Sequence, residues 1–599
     1  MCNFNLINGE IKNEMIIAKG ETNIRFNNYK VICTHTENDK YIIPLTKKTT
    51  KIKCNGDIWL LPLVKGENSF FLSGNCEKEV NFINNNVEIL VNTNLSFQRY
   101  GERPNVDIAR NEIVLDFVSG EILSKAWSYF YWDTMLPSII EKSDATTYPL
   151  TLGYVVSTLQ EGEYAGTYPD VDHEFQTKGR LAIKSDYDLA IVKRMMDLQF
   201  KLMEEDPTGL YRNPCAVQPN GDREYHVRRN SFDNSENAEM FLITGNVEIL
   251  ETAWLYFSLT KDREWISKNI VHLENSANLL IHLTDNKGKL WSDVYYEDQV
   301  IKDGRECMSA AMATNALKLL SELENLLGRS AEEEKYLKLS KLIGSTMSKD
   351  LPDGFWDTEN KRYVDWVDRN GVVHDHIHLL ANCLPVIFDY ASKEQEIAVA
   401  EMIEENYAEL QRFPTFLSPN IEDYTDSEIG NSPYDLCAAG RYWCWDAAYW
   451  SYYNNGKVLK SQLIAVAKQG EIDSFKMGER YDMNHVYYID DKNWHGAPYY
   501  YEYPCVFSWV LIHEYLGISP SIKYDLKIKP QLIDYGRVKL ESYEIEYEYN
   551  SEYFEIKNLA NRDITVELEI GHLYKEKIEE MVINITAKSN IRISRRDYV

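Results

Sequence analysis

Cysteine is scarce in this 599-residue chain: there are ten, with no CxxC pair. That argues against a disulfide framework and a zinc ribbon, and leaves reduced, mostly buried thiols as the expectation. Long apolar runs are missing too. Stretches such as Val506 to Ile512 fall far short of the ~20 residues that cross a bilayer, so a soluble protein without a membrane partner is expected. Met1 to Gly20 alternates polar and apolar residues and lacks the basic start, apolar run and small-residue cleavage site of a signal peptide, which points to the cytoplasm. Positive charge is in deficit, 64 Lys and Arg against 93 Asp and Glu for a net charge of -29. This is the wrong sign for a nucleic-acid partner or an anionic membrane surface. No internal repeat is visible.

What the chain has is ordinary globular composition, enough length for several domains, and an excess of aromatic residues. There are 41 Tyr and 13 Trp, many of them clustered, as in Trp127 to Trp132 and Tyr499 to Tyr501. Flat rings stack on the apolar C–H faces of sugars, and Tyr and Trp add a polar handle for hydroxyls. For any single ring, core packing is the simpler explanation.

The pattern changes twice along the chain. Over the first ~115 residues apolar positions alternate, as at Val31 and Cys33 or Val87, Ile89 and Val91, which predicts an N-terminal β-sandwich over 1–118. Residues 119–182 read as a linker and entrance segment. From 183 to 518 the period is helical: Ile191, Met195, Leu198 and Leu202 follow a capping box at Ser185 to Asp188. Met308, Met312, Ala316, Leu319 and Leu323 form a stripe ending at Gly328, Ser330 to Glu333 caps the next helix, and Ser392 to Gln395 opens another. About twelve helices fit this block, enough for six hairpins. The loops between them are rich in Trp, Tyr, Asp and His, where function tends to sit on a helical scaffold. After Pro520 alternation returns, at Tyr543, Ile545, Tyr547 and Tyr549 and at Ile564, Val566, Leu568 and Ile570, predicting a small C-terminal β-sandwich over 519–599.

This layout resembles the six-hairpin glycosidases, the superfamily of processing α-glucosidase, trehalase, α-L-rhamnosidase and the maltose- and cellobiose-type phosphorylases. The residues that carry the likeness are Tyr131-Trp-Asp-Thr134; Phe355-Trp-Asp with Tyr363 and then Asn382, Leu384 and Pro385; and Glu502-Tyr503 with Phe507-Ser-Trp509 and Leu516-Gly517. The resemblance implies a multidomain, mainly α fold, an (α/α)6 barrel flanked by the two β-sandwiches. It also implies a glycosidase that needs no cofactor and acts on a small carbohydrate, inverting and exo-acting. In that superfamily Trp132 and Asp133 would grip the terminal sugar, and Glu502 would be the catalytic base before the last barrel helix.

Glycoside hydrolysis needs a protonated carboxylic acid for the leaving oxygen and a second carboxylate as base or nucleophile. Glu502 is surrounded in sequence by Tyr499, Tyr500, Tyr501 and Tyr503, with Trp494 and His495 just upstream. For the acid, the loop from Trp291 through Asp293, Glu297 and Asp298 precedes a helix. Asp293 is favoured by its Trp291 neighbour, although Ser292 interrupts the Gly-Trp-Asp setting usual in the superfamily, and the choice among the three stays open. Gly440-Arg-Tyr-Trp-Cys-Trp-Asp446 adds Arg441, Trp443, Trp445 and Asp446 as a possible sugar platform, or as a helix start with Arg441 paired to Asp446. Asp233 reads as an N-cap before it reads as a substrate contact. His374-Asp-His-Ile-His378 would place His374 and His378 on one helix face, but no HExxH glutamate or cysteine completes a metal set, and no metal is expected. Asp170, Asp172 and Glu174 lack the glycine of a calcium loop and read as a solvated acidic stretch. Two rival functions remain. A phosphorylase would need a cationic nest near Glu502, where only His495 and Gly496 stand in sequence. A catalytically inactive sugar-binding barrel would lack the carboxylate pair.

Overall fold

The computed structural model describes residues 113–599 except 136–137, 142–153, 157–172, 215, 218–222, 226–241, 293–299, 301, 430–435, 484–493, 498, 575–579 and 596–599. Before residue 113 it describes the backbone of ten strands. The chain is mainly helical with several small sheets. Fourteen helices matter for the site. In chain order they are α1 (Gly120–Phe130), α2 (His173–Ile183), α3 (Asp186–Glu204), α4 (Thr244–Thr260), α5 (Arg263–Leu283), α6 (Cys307–Leu326) and α7 (Ser330–Met347). There follow α8 (Leu379–Ile387), α9 (Lys393–Glu405), the single turns α10 (Tyr407–Leu410) and α11 (Asp426–Ile429), then α12 (Gly440–Tyr452), α13 (Gly456–Ile472) and α14 (Glu502–Trp509).

Local sequence explains several of the boundaries. Ser185 caps α3 by accepting a hydrogen bond from the Asp188 N–H, and Ser392 with Gln395 forms a complete capping box on α9, each satisfying N–H groups that a helix start leaves unpaired. Ser330 does not cap α7. It is the first helical residue, Arg329 stands at the cap position without a side-chain bond, and Glu332 and Glu333 instead meet the positive end of the helix dipole.

The helices form two layers. α2 packs on α4, α4 on α6, α6 on α8, α8 on α12, α12 on α14, and α14 returns to α2, closing a ring of six. Outside it, α3 leans on α2 and α4, α5 on α4 and α6, α7 on α6, α9 on α8, and α13 on α12 and α14, while α1 meets α13 and α14. Burial follows the layers: every residue of α2 is buried, whereas α9 buries four of its thirteen. The segment 119–182 thus carries α1 and also α2, a member of the ring. α2 is covered on all sides although it carries His173, Glu174, Lys178 and Arg180.

Two glycines set how closely the ring closes. A Cβ on Gly440 would stand 2.6 Å from the Tyr503 backbone nitrogen, and one on Gly179 would stand 2.7 Å from the Cys505 Cα. Without side chains there, α12 and α2 both pack directly against the backbone of α14.

The strands after α14 make two sheets. Ile113–Asp116, Gly536–Leu540, Ile545–Tyr549, Tyr553–Asn558 and Asn590–Ser594 pair antiparallel in that order. Ile518–Ser519, Leu526–Ile528, Ile564–Leu568 and Met581–Ile585 form the second sheet. Alternating residues are buried, Ile545, Tyr547 and Tyr549 on one strand and Ile564, Val566 and Leu568 on another, as the period-two pattern requires. The strand at 113–116 therefore belongs to a sheet built otherwise from the far end of the chain. Earlier strands form a seven-stranded and a three-stranded sheet, in which Lys30–Thr34 and Asn86–Val91 carry the alternation seen at Val31 and Val87. Among the described residues no helix is long and apolar enough to cross a membrane. Among the described residues Cys307, Cys383, Cys437, Cys444 and Cys505 are buried and outside any disulfide.

Candidate active site

The two ends of the helical ring differ. At one end α2–α3, α4–α5, α6–α7, α8–α9 and α12–α13 are joined by turns of two to five residues. At the other, the loops 131–172, 205–243, 284–306, 348–378, 406–439 and 473–501 feed the N-termini of the six inner helices. Six helix N-termini thus face one mouth framed by long loops, and their dipoles favour carboxylates there.

Glu502 is the first residue of α14, at this mouth, and its side chain is fully enclosed. Oε1 accepts from Arg441 Nε at 2.8 Å and Nη2 at 2.5 Å, and Oε2 accepts from the Arg441 backbone N–H at 3.2 Å. A buried charge needs such a partner, and here two guanidinium donors meet one oxygen while the backbone N–H meets the other. Arg441 also reaches Glu479 at 3.1 Å, and Arg480 pairs with Glu479 at 2.5 Å. Tyr501 and Tyr503 are completely buried beside Glu502, and Tyr500 nearly so. A three-stranded ladder, Ala438–Ala439 with Arg480–Tyr481 with Trp494–His495, ties the loops before α12 and α14 together. Arg441, Glu502 and the backbone of Trp494 and His495 are thereby gathered at one place.

The other residues singled out from sequence are distributed differently. Trp291 is half-buried, with the Arg305 guanidinium 5.7 Å from its ring, at the mouth end of α5. Asp293, Glu297, Asp298 and Asp233 lie outside the described residues, as do the side chains of Trp132, Asp133, Trp494 and His495. The backbone of Trp132 and Asp133 runs through a π-helical turn, Tyr131–Met135, that continues α1. Trp443 is buried, donating from Nε1 to Gln462 at 2.9 Å, and Trp445 packs edge-on to Phe175 with Lys178 over its ring. Asp446 does not pair with Arg441. It accepts from Thr415, Gln411, Trp450 and Gln462, and burial pushes its carboxyl up to about 6 against those four donors. Trp443, Trp445 and Asp446 therefore make contacts between helices, while Arg441 in the same string turns to Glu502. Glu174, read as part of a solvated acidic loop, is instead buried against Lys178. Burial and then the neighbouring Glu251 hold its carboxyl well above the usual range, against the pull of Lys178.

Two polar clusters at the mouth were not assembled from sequence. Lys302 is buried between Glu306 at 2.9 Å and Asp365 at 2.8 Å, with Tyr424 donating to Asp365 at 3.0 Å. Next to it, His374 Nδ1 and His376 Nε2 both meet Glu428 Oε1, at 2.6 and 3.0 Å. Burial alone would raise the Glu428 carboxyl, but the two histidines and the Thr425 N–H hold it well below the ordinary carboxylate value. His378, expected to share a face with His374, instead caps α8 by accepting from the Ala381 N–H at 3.0 Å. Beyond the strand Val373–His374 the segment 375–378 is not helical, so positions four apart do not share a helix face. The His-x-His spacing was visible; Glu428, some fifty residues on, carried no local signal.

No family model matches the sequence, and no curated protein matches it. Solved structures do. An α-L-rhamnosidase from Dictyoglumus thermophilum aligns at a TM-score of 0.52 with 13% identity, over 85% of this chain and 53% of that one. The chain shares its fold with this rhamnosidase. A native α-L-rhamnosidase from Aspergillus terreus gives 0.52 at 12% identity over 96% and 64% of the two chains. A GH78 rhamnosidase of Bacillus sp. GL1 gives 0.50 at 12% over 82% and 52%. The likeness is one of fold, and this chain spans only about half to two thirds of the length of these proteins.

Proposed function

We propose that the protein is a glycoside hydrolase of the six-hairpin type. In this reading the ring of six inner helices and its outer layer are an (α/α)6 barrel occupying most of 183–518 and joined by α1 and α2, with a β-sandwich on either side. The observation that carries it is Glu502, an enclosed carboxylate on the first residue of an inner helix, at the end of the ring where all the long loops converge.

Glu502 serves as the base that activates water. A carboxylic acid from the loop after Trp291, Asp293 before Glu297 or Asp298, protonates the leaving oxygen. An inverting, exo-acting enzyme needs the two carboxyl groups ~6.5–9.5 Å apart, leaving room for the water between them. Arg441 orients Glu502, and the six helix N-termini favour the anionic form of groups at the mouth. Trp132 and Asp133 hold the terminal sugar, with Trp291, Trp494 and His495 along the same rim. Phosphorolysis is disfavoured because the guanidinium groups nearest Glu502, Arg441 and Arg480, are engaged by Glu502 and Glu479, and phosphate would have to compete with both.

A panel of aryl glycosides, beginning with the α-L-rhamnoside that the structural neighbours' names suggest, tests the reading with and without phosphate. Phosphate-independent release of the aryl group is expected. Release that requires phosphate would make the protein a phosphorylase, and sugar binding without release would make it a binding barrel.

A further inference from the structure

His374 and His376 flank one residue of a non-helical segment, and both rings meet the same carboxylate oxygen, Glu428 Oε1. Trp366 stacks on His374 at 4.0 Å and 7°, and Tyr424 stacks on His376 at 3.8 Å and 17°. Each imidazole is thus fixed in plane by an aromatic wall. Tyr424 is itself anchored by its hydroxyl on Asp365. Glu428 comes from α11, and its second oxygen, Oε2, accepts from the Thr425 N–H at 2.7 Å and hydroxyl at 3.0 Å. That leaves Oε1 aimed at the two ring nitrogens. The three ligand atoms all lie within 4.8 Å of one another, on residues that are buried or half-buried.

We propose that His374, His376 and Glu428 bind one divalent transition-metal ion of the zinc class at the mouth of the helical ring. Two imidazoles and one carboxylate are a donor set that zinc and neighbouring metals take, with remaining positions open to water or to a substrate oxygen. Bonds of about 2.1 Å separate adjacent donor atoms by about 3.0 Å at right angles and about 3.4 Å in a tetrahedron, so each histidine nitrogen, now 2.6 or 3.0 Å from Glu428 Oε1, needs to move away from that oxygen by less than 1 Å. The outer contacts of such a site are also here: Thr425 holds the carboxylate, as hydrogen bonds to ligating groups do, while the aromatic walls fix the rings. The inference does not depend on the glycosidase reading.

The test uses the full chain, dialysed against chelator and titrated with Co2+ under visible light and with Zn2+ by calorimetry. One Zn2+ per chain, a Co2+ ligand-field spectrum and a Zn2+-induced rise in melting temperature are expected. His374→Gln and Glu428→Gln, each checked for folding by circular dichroism, should weaken Zn2+ binding by roughly 100-fold or more. Absence of stoichiometric metal in the wild-type protein, or Zn2+ affinity unchanged in both variants, would leave a hydrogen-bonded His–Glu–His group and overturn the proposal. If neither variant folds, the stoichiometry and spectrum of the wild-type protein decide.

Discussion

Arg441 spends its donors on two carboxylates, Glu502 and Glu479, and this sharing defines what its removal would do. Arg441→Ala leaves Glu502 buried without its cation, a loss of ~3–5 kcal/mol for a broken buried pair, to be read as a fall in the denaturation midpoint. Arg441→Lys keeps the charge but not the planar fork, so stability should recover in part while turnover stays low. Asp133 tests the rim. If it holds sugar hydroxyls, Asp133→Ala strips each contact of ~1–3 kcal/mol, and kcat falls together with affinity because remote contacts orient the reacting bond. A lower melting temperature with normal kinetics would remove Asp133 from the site. Asp446 gives a pH prediction. Its folded-state value, about 6, lies above the ordinary 3.8, so the native state holds the proton more tightly than the unfolded chain. Its contribution is therefore fully present below about pH 4 and is lost as pH rises through 6. The melting temperature of the wild-type protein minus that of Asp446→Asn should shrink over that window; a flat difference would contradict the assignment.

Helices and turns show where sequence was informative and where it was not. Ser185 and Ser392 cap as read because a cap is decided within four residues. The string from Trp356 to Pro385 was recognised only as a likeness, and its physical purpose lies in a contact nineteen residues apart. Asn382 on α8 accepts from the Tyr363 N–H at 2.9 Å and donates to the Tyr363 and His378 carbonyls at 3.0 and 2.9 Å. It pins the Arg362–Tyr363 strand and the histidine segment to the start of an inner helix. Asn382→Ala should cost ~2–3 kcal/mol by leaving buried backbone groups unpaired, measured by urea denaturation, whereas an exposed Asn nearby, such as Asn360, should cost far less. The Arg441–Asp446 pairing failed as an expectation because positions five apart on a helix point in different directions. The partner of Arg441 came from another helix, to which no local pattern points.

At the scale of the whole molecule, the run of helical periods was legible, and five hairpins close by short turns, while the closure of the ring was not, since it depends on which helix meets which. The entry of α2 into the ring was hidden by its polar sequence, whose buried residues include His173, Glu174, Gln176, Lys178 and Arg180, and the pairing of 113–116 with 536–540 by the length of chain between them. The same limit applied to the site: Glu502 was singled out by a family likeness and its aromatic neighbours, while its cation came only from the fold. The measurement that tests the central claim most directly is turnover of an aryl glycoside cleaved by the wild-type protein, compared with Glu502→Gln on folded, sugar-binding preparations of both. The account predicts a loss of ~10²–10⁴-fold in kcat with binding retained, the share that a general base contributes. Near-normal kcat in Glu502→Gln would contradict it and reduce Glu502 to a structural partner of Arg441.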